Sequence, residues 1–495
     1  MEYDTINSMK KEDLLLEQLI AYGKAGNYPF HMPGHKRKAE FPNPYLIDIT
    51  EIEGFDNLHH AEGMLKDSME WAASVYHADK TYYLVNGSSS GVLSSICTVT
   101  NTGGRILISR NAHKSAYHGI ILNRLHVEYC YPQNIPQLGI QGGILPADVE
   151  RILNNHSDIE AVLIVSPTYD GIVSDICAIA KIVHNKNIPL IVDEAHGAHF
   201  PFYQSFPDSA LSAGADIVIQ SLHKTLSAFT QTAVIHVKKD RIDTKKLERY
   251  LQIFQSSSPS YVFMAGIEKC IFDMTQKGYT GFNIFTKNLF GMRSQLTQLK
   301  NLKIAARSLC GSYGVFDLDE SKIVISTLGC IVNTEFGPLY GEMLGTWLRN
   351  DYHLEMEMCA AYTVSAITSW LDTREDLQRL ADALLAIDKT LTAVESPKNL
   401  SIQWETVMKE PGLVMAEAFE CQSENRLLNR CEGLVSTEFI YLYPPGIPIL
   451  APGETVTKEI ISLINYYIRM GLPVQGMDDR SNQSLKVITE RRQGV

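Results

Sequence analysis

Three short stretches of this chain combine residue types that could do chemistry, and each stands where an apolar run stops. Asn86-Gly87-Ser88-Ser89-Ser90-Gly91 opens a helical run. Free backbone N–H groups, hydroxyl donors and the positive end of a helix dipole suit a phosphate dianion, although a Ser-rich helix cap reads the same way. Leu190-Ile191-Val192 ends in Asp193-Glu194-Ala195-His196-Gly197, where Asp193 reads either as a ligand-binding acid or as a helix cap. Lys224 follows Ile219-Gln220-Ser221-Leu222-His223. A lysine partly desolvated at a sheet end has a lowered pKa and can form a Schiff base. Asp193 precedes Lys224 by 31 positions. Together the three match the needs of pyridoxal 5′-phosphate: a phosphate cradle, an acid that keeps the ring nitrogen protonated, and an amine that holds the aldehyde.

These residues need a scaffold, and the hydrophobic pattern supplies one. Tyr82–Val85, Arg105–Ile108, Ala161–Val165, Leu190–Val192 and Asp216–Ile219 are short runs rich in apolar and β-branched residues, alternating with helical stretches. Such runs predict strands covered on both faces, joined by right-handed crossovers into a mostly parallel sheet. Ligands of such sheets sit beyond the carboxyl ends of the strands. Residues 241–310 read as helical, and strands return with Lys322–Ile325. The expected division is a helical arm over 1–30, a large domain over 31–310 and a smaller region over 311–495 with a break near 390. The arm carries Leu14, Leu15, Leu16, Leu19 and Ile20 at near-helical spacing and reads as a segment that packs on another domain or subunit. Helices with acidic caps are expected near Thr373–Asp376. The tail from Ser484 has mixed charge and reads as frayed.

Composition narrows the function classes. The 495 residues are 45% hydrophobic and 20% charged, which suits a folded globular chain and rules out extensive disorder. No apolar run approaches the roughly 18 residues that cross a bilayer. Met1–Lys24 contains charged residues in place of a signal core, so a cytoplasmic protein is expected, with no membrane partner. The net charge is −12 and the longest basic run is His35-Lys36-Arg37-Lys38, so no nucleic-acid partner is expected. The nine cysteines are scattered without a CxxC pair and HExxH is absent, so neither a disulfide framework nor a metal is expected. The Ser-rich turn is neither GxGxxG nor a Walker loop, which disfavours dinucleotide and nucleoside triphosphate sites.

The chain resembles the ornithine/lysine/arginine decarboxylase family in its short bacterial form. The resemblance rests on Phe30-His31-Met32-Pro33-Gly34-His35-Lys36, Asn86-Gly87-Ser88-Ser89, Arg110-Asn111-Ala112-His113-Lys114-Ser115, Ser166-Pro167-Thr168-Tyr169, Asp193–Gly197, Ser221–Lys224, Gln255–Tyr261 and Tyr443-Pro444-Pro445-Gly446, in that order over roughly 25–460. It implies an α/β architecture: a fold-type-I, aspartate-aminotransferase-like large domain with a mostly parallel sheet, and a smaller α+β C-terminal domain. It further implies that Lys224 binds the pyridoxal phosphate aldehyde, Asp193 pairs with the ring nitrogen, His113 stacks on the ring, Ala195 packs beneath it and His196 lies close by. Ser88, Ser89 and Ser90, with Ser221 and His223, are assigned to the phosphate end. Ser257 or Ser258 is assigned to the phosphate of a neighbouring subunit's cofactor, which implies a homodimer with shared active sites. Glu357, Glu355, His35, Lys36 and Thr168 are the substrate candidates. Glu194 reads as a solvated or capping carboxylate. His31 and His35 read equally well as structural supports of the Pro-Gly turn.

The implied reaction is decarboxylation of arginine, lysine or ornithine, with arginine or lysine preferred. Family members often carry Glu-x-x-Asp-x-Tyr, and here Glu357 and Tyr362 are kept while Ala360 stands at the Asp position. A second reading is another pyridoxal phosphate reaction on the same fold, an aminotransferase or lyase acting on a non-basic substrate. A third is a non-catalytic regulatory protein that kept the fold.

Overall fold

In the computed structural model the apolar runs form a seven-stranded sheet: β1 Lys80–Leu84, β2 Arg105–Ser109, β3 His126–Cys130, β4 Ile159–Val165, β5 Leu190–Asp193, β6 Ile217–Gln220 and β7 Ala233–Val237. The structure describes residue 11 and residues 14–332, 337–394, 412–442 and 446–489. The strand order is β1-β7-β6-β5-β4-β2-β3, and β7 alone runs against the others. The two-residue period of a strand sends alternate side chains to opposite faces. Ile106, Ile108, Ile191, Ile217 and Ile219 therefore join one core, while Leu107, Leu190, Val192 and Val218 join another on the far face. Both faces are buried, which is why these strands read as continuous apolar runs.

Helix α1, Gly87–Val99, lies so close to the sheet that a Cβ on Gly91 would sit 2.7 Å from Leu84 and 3.1 Å from Ile219. Helix α2, Lys114–Leu122, follows β2. Beyond the first sheet come three helices, Thr244–Phe254, Tyr261–Asp273 and Tyr279–Leu296. A second, antiparallel sheet joins Lys303–Ile304, Lys322–Ser326, Thr363–Ile367 and Met358–Cys359. Its first strand precedes residue 311, so the second sheet begins inside the stretch expected for the large domain. The capping box at Thr373 and Asp376 starts helix Arg374–Asp388, where acidic caps were expected.

A third unit has its own core, including Leu428, Cys431, Ile460, Ile464, Leu485 and Val487. Ser484–Ile488 is part of it: these residues pair antiparallel with Ser423–Leu427, which corrects the expectation of a frayed tail. Alternation of Leu485 and Val487 inward is the physical reason, because it gives the strand one apolar face. Residues 1–10, 12 and 13 of the arm, residues 395–411 beyond the expected break near 390, the Tyr443-Pro444-Pro445 turn and the tail from 490 lie outside the described residues. Of the arm, Leu15–Lys24 is helical with Leu15, Leu16 and Leu19 exposed, whereas Tyr28–Phe30 is a buried strand parallel to Leu354–Met356. No helix among the described residues is long and apolar enough to cross a membrane.

Candidate active site

The carboxyl ends of β5 and β6 and the start of α1 open onto one cavity of about 470 Å³. Lys224 reaches it from the single helical turn Leu222–Thr225 that follows β6. Asp193, the last residue of β5, and Ala195 and His196 of the following turn share the wall. Gly87, Ser88 and Ser89 bring the N-terminal turn of α1, and His113 caps α2 at the same cavity, its Nδ1 accepting from the Ser115 N–H at 3.2 Å. Glu357 completes the ring from the second sheet's side of the chain.

Burial sets the electrostatics. Desolvation lowers the Lys224 ammonium, and Asp193 and Glu357 pull it back up. Desolvation raises the Asp193 carboxyl against the opposing pull of Lys224 and of the Ala195 N–H, which donates to it at 3.1 Å. His113 falls to about 3 and His223 to about 4, both mainly by burial, so both imidazoles are neutral near pH 7. His223 donates from Nδ1 to the Thr232 carbonyl, 2.9 Å away. His196 lies well below the ordinary histidine value because burial, Lys224 and Lys322 all oppose its cationic form. Its Nε2 is 3.0 Å from the Lys224 amine.

Glu357 is anchored by two distant segments. Its Oε2 accepts from the Met32 N–H at 2.7 Å, and its Oε1 accepts from the Tyr169 hydroxyl. A carboxylate has about four acceptor positions, so two remain for a cationic group in the cavity.

Several predicted residues stand elsewhere. The Lys36 ammonium is buried and donates to the carbonyls of Pro29, His31 and Ile367 at 2.8, 3.0 and 2.7 Å, so its three protons are spent on the scaffold. His35 accepts from the Arg37 N–H and lines a separate small cavity beside Phe229 and Cys270. Thr168 Oγ1 accepts from the Ile172 N–H and closes its own turn. Glu355 is paired with Arg349 at 2.8 Å. Ser90 is turned into α1, donating to the Gly87 carbonyl. These five are therefore corrected as groups facing the cavity. Ser221 is buried beside the site with no hydrogen-bond partner for its hydroxyl among the described residues. Ser257 and Ser258 are exposed and outside this chain's cavity. Glu194 is buried rather than solvated, accepting from Ser209, Gln220 and the Ala210 N–H, and burial raises it to about 7.

The Pro33-Gly34-His35-Lys36 segment holds the lysine turn in place. The Gly34 N–H donates to the His223 carbonyl at 2.8 Å, and Ser369 donates to the Gly34 carbonyl at 2.7 Å. A Cβ on Gly34 would meet the Leu226 carbonyl oxygen at 2.5 Å and Thr225 C at 2.9 Å. Only glycine permits that approach.

Sequence reasoning gave no role to Asn111, Tyr169, Asp170 or Lys322. Asn111 and Tyr169 line the cavity, Asp170 has a buried carboxylate oxygen and Lys322 is buried. The available signal was weak: Lys322 opens an otherwise apolar strand, where a charged side chain has no solvated face.

Known proteins share the sequence pattern and the fold of this chain. The pattern of the Orn/Lys/Arg decarboxylase major domain matches residues 14–308 and that of the C-terminal domain matches 398–473. The chain belongs to the Orn/Lys/Arg decarboxylase family. Within that family it is 30% identical to an arginine decarboxylase of Bacillus anthracis over 493 residues, covering 97% of this chain and 98% of the relative. It is 31% identical to an arginine decarboxylase of Bacillus subtilis over 477 residues, covering 94% and 95%. The fold matches the crystal structure of the Francisella novicida lysine decarboxylase with a TM-score of 0.71 at 21% identity, over 88% of this chain and 73% of that one. The α/β architecture with a fold-type-I large domain stands as expected, and the family implies pyridoxal phosphate.

Proposed function

We infer that this chain removes CO2 from a basic amino acid, with arginine as the preferred substrate, using pyridoxal 5′-phosphate bound at Lys224. The carrying observation is that one cavity gathers an amine, a buried acid, a helix N-terminus with two hydroxyls, and an anchored carboxylate: Lys224, Asp193, Ser88 with Ser89, and Glu357. The relatives named arginine decarboxylase support arginine over lysine and ornithine.

The residues fit the cofactor. Asp193 is a buried carboxyl that, among the described residues, accepts one hydrogen bond, from a backbone N–H, so a protonated ring nitrogen would complete it. The Ser221 hydroxyl is buried and unpartnered among the described residues, as a phosphate donor would be before its ligand arrives. The N-terminal turn of α1 presents backbone N–H groups, Ser88 and Ser89. When bound, the cofactor supplies the electron sink that makes loss of CO2 feasible.

The protein's own part is binding, orientation and proton control. Lys224 would hold the aldehyde. Asp193 would hold a proton on the ring nitrogen. His113, neutral and fixed by its cap, offers a flat uncharged face. Glu357 binds the far cationic end of the substrate, which places the α-carbon toward Lys224 and selects basic side chains. Ser257 and Ser258, exposed and unused in this cavity, are assigned to a second subunit's cofactor, and with them a homodimer. The division into a large domain up to about 310 and a C-terminal region beyond it remains our reading of the chain.

The test is the absorbance of purified protein between about 300 and 500 nm, with CO2 and amine detection after adding arginine, lysine or ornithine. A visible band that is lost in Lys224→Ala, and CO2 from arginine, are expected. A band with a keto acid and no CO2 would replace the decarboxylase by an aminotransferase. Absence of a band after adding pyridoxal phosphate would overturn the assignment.

A further inference from the structure

Lys322 is a buried lysine that the proposed reaction does not use. It opens the strand Lys322–Ser326 of the second sheet, and its Nζ lies 3.0 Å from His196 Nδ1. The other ring nitrogen, His196 Nε2, is 3.0 Å from the Lys224 amine. Lys322 and His196 are buried and Lys224 is half-buried, and the Tyr169 ring packs edge-on to His196 at 4.9 Å. The imidazole thus bridges two lysines that come from different sheets.

Proton counting constrains this bridge. A neutral imidazole has one N–H and one lone pair. An ammonium can only donate, so a neutral ring between two ammonium groups faces a clash of donors at one nitrogen. A cationic ring would clash at both. One lysine must therefore be an uncharged amine that accepts from the ring, and the other donates to it, as an ammonium where neighbouring carboxyls hold its charge.

The surrounding charges choose between them. The buried Asp319 faces Lys322, as do Asp170 and Glu357; Lys36 opposes them but its ammonium is spent on three carbonyls. Asp170 Oδ1 is buried without a hydrogen-bond partner among the described residues. Lys224 is faced by Asp193 and Glu357. Glu357 thus faces both lysines and does not separate them; what separates them is that Lys322 has two carboxyls of its own, Asp319 and Asp170, against the single Asp193 of Lys224. His113 and His223, the other titratable groups facing His196, are neutral. The cation belongs on Lys322.

We propose that Lys322 is a positioning residue: as an ammonium donating to His196 Nδ1 it fixes the ring proton on Nε2, which is directed at Lys224 and keeps that side chain an uncharged, nucleophilic amine. This rests on Lys224 being the amine that captures pyridoxal phosphate. Burial lowers Lys322 to about 8, so it is mostly charged at neutral pH and the arrangement holds there.

Two measurements test it. The first uses wild-type protein without cofactor, labelled with ¹⁵N-histidine, the His196 signals being assigned by their loss in His196→Gln. A proton on Nε2 with a bare, hydrogen-bonded Nδ1 is expected at pH 7. A proton on Nδ1, or on both nitrogens, overturns the proposal whatever the cofactor does. The second follows the rate at which added pyridoxal 5′-phosphate forms its absorbing adduct as a function of pH, in wild type, Lys322→Met and Lys322→Arg, each first shown to be folded by its thermal melt. Loss of the cation in Lys322→Met raises the pH midpoint by about one unit, so adduct formation at pH 7 slows about tenfold and recovers its full rate at higher pH. Lys322→Arg keeps the cation and restores the midpoint. A uniformly slower rate with an unmoved midpoint would mean that Lys322 only supports the fold. If no adduct forms in any of the proteins, the cofactor assignment fails and the tautomer measurement alone decides the role of Lys322.

Discussion

Glu357 shows how much one side chain can carry. It sits 133 positions after Lys224 in the sequence, yet it shares a cavity with that lysine and is braced from Met32 and from Tyr169. Its charge is what a guanidinium or ammonium would recognise, so Glu357→Gln, which keeps the shape and loses the charge, raises KM for a basic substrate at least about tenfold, the scale of one charge-assisted contact. Steady-state kinetics with arginine check this, and an unchanged KM removes Glu357 from recognition. Ala360 stands in a turn whose backbone bonds to Thr363 and does not line the cavity. Much of the residue scale was legible in the sequence. Asp193 ends a strand, Ser88, Ser89, His113 and Lys224 stand at the start of helical turns, His196 lies in the turn after Asp193, and the sheet brings such positions together. Lys36 was not legible: a buried lysine serving three carbonyls has the same letter as one facing substrate, and only the path of the backbone around it separates the two.

At the scale of elements, the loop through Gly34 and the turn carrying Lys224 are one construction. One hydrogen bond and a close backbone approach join them, Ser369 braces the loop through a second bond, and the atoms that a Cβ would strike are main-chain atoms, which cannot rotate aside. Gly34→Ala therefore costs about 1–3 kcal/mol by overpacking and shifts the lysine turn. The expected result is a lower urea midpoint together with faster loss of cofactor; an unchanged midpoint would show that the loop yields. The strands that frame the site were readable because both faces of the sheet are buried, leaving uninterrupted apolar runs. The strand Ser484–Ile488 was missed because its outward residues are Ser484, Lys486 and Ile488, and only the pairing with Ser423–Leu427 reveals the inward face of Leu485 and Val487. The second sheet's first strand escaped notice for a related reason: Lys303–Ile304 is two residues long, too short for any periodicity.

At the scale of the whole molecule, Arg110 ties the first sheet to the C-terminal unit. Its buried guanidinium donates to Tyr117, to the Pro448 and Ile449 carbonyls and to Glu454 at 3.2 Å. Arg110→Met leaves Glu454 buried without its cation, a loss of about 3–5 kcal/mol. Urea unfolding should show it, and a loss below about 1 kcal/mol would mean that the pair contributes little. Acidity acts on the whole molecule as well. Seven histidines (31, 35, 113, 118, 196, 223 and 236) lie below their solution value, mainly by burial, and so resist a proton that the unfolded chain accepts below about pH 6.5. Four carboxyls, the half-buried Asp170 and the buried Asp193, Glu194 and Asp372, are raised by desolvation and work in the opposite sense, holding protons that the unfolded chain releases. The histidines outnumber them, so the unfolded state binds more protons and stability falls as the pH drops from about 6.5 toward 5. Melting temperatures across that range check the sign, and a rise in acid would refute it. Long-range pairing has one more consequence, for synthesis. Tyr28–Phe30 lies beside Leu354–Met356, and Met32 bonds to Glu357, 325 positions later. At roughly 5–20 residues per second on the ribosome, the loop that steadies Lys224 waits some tens of seconds for its partner strand to emerge. The chemistry of this chain therefore waits until its first 357 residues are made, and a nascent chain halted before that strand has Lys224 but not the frame that makes it useful.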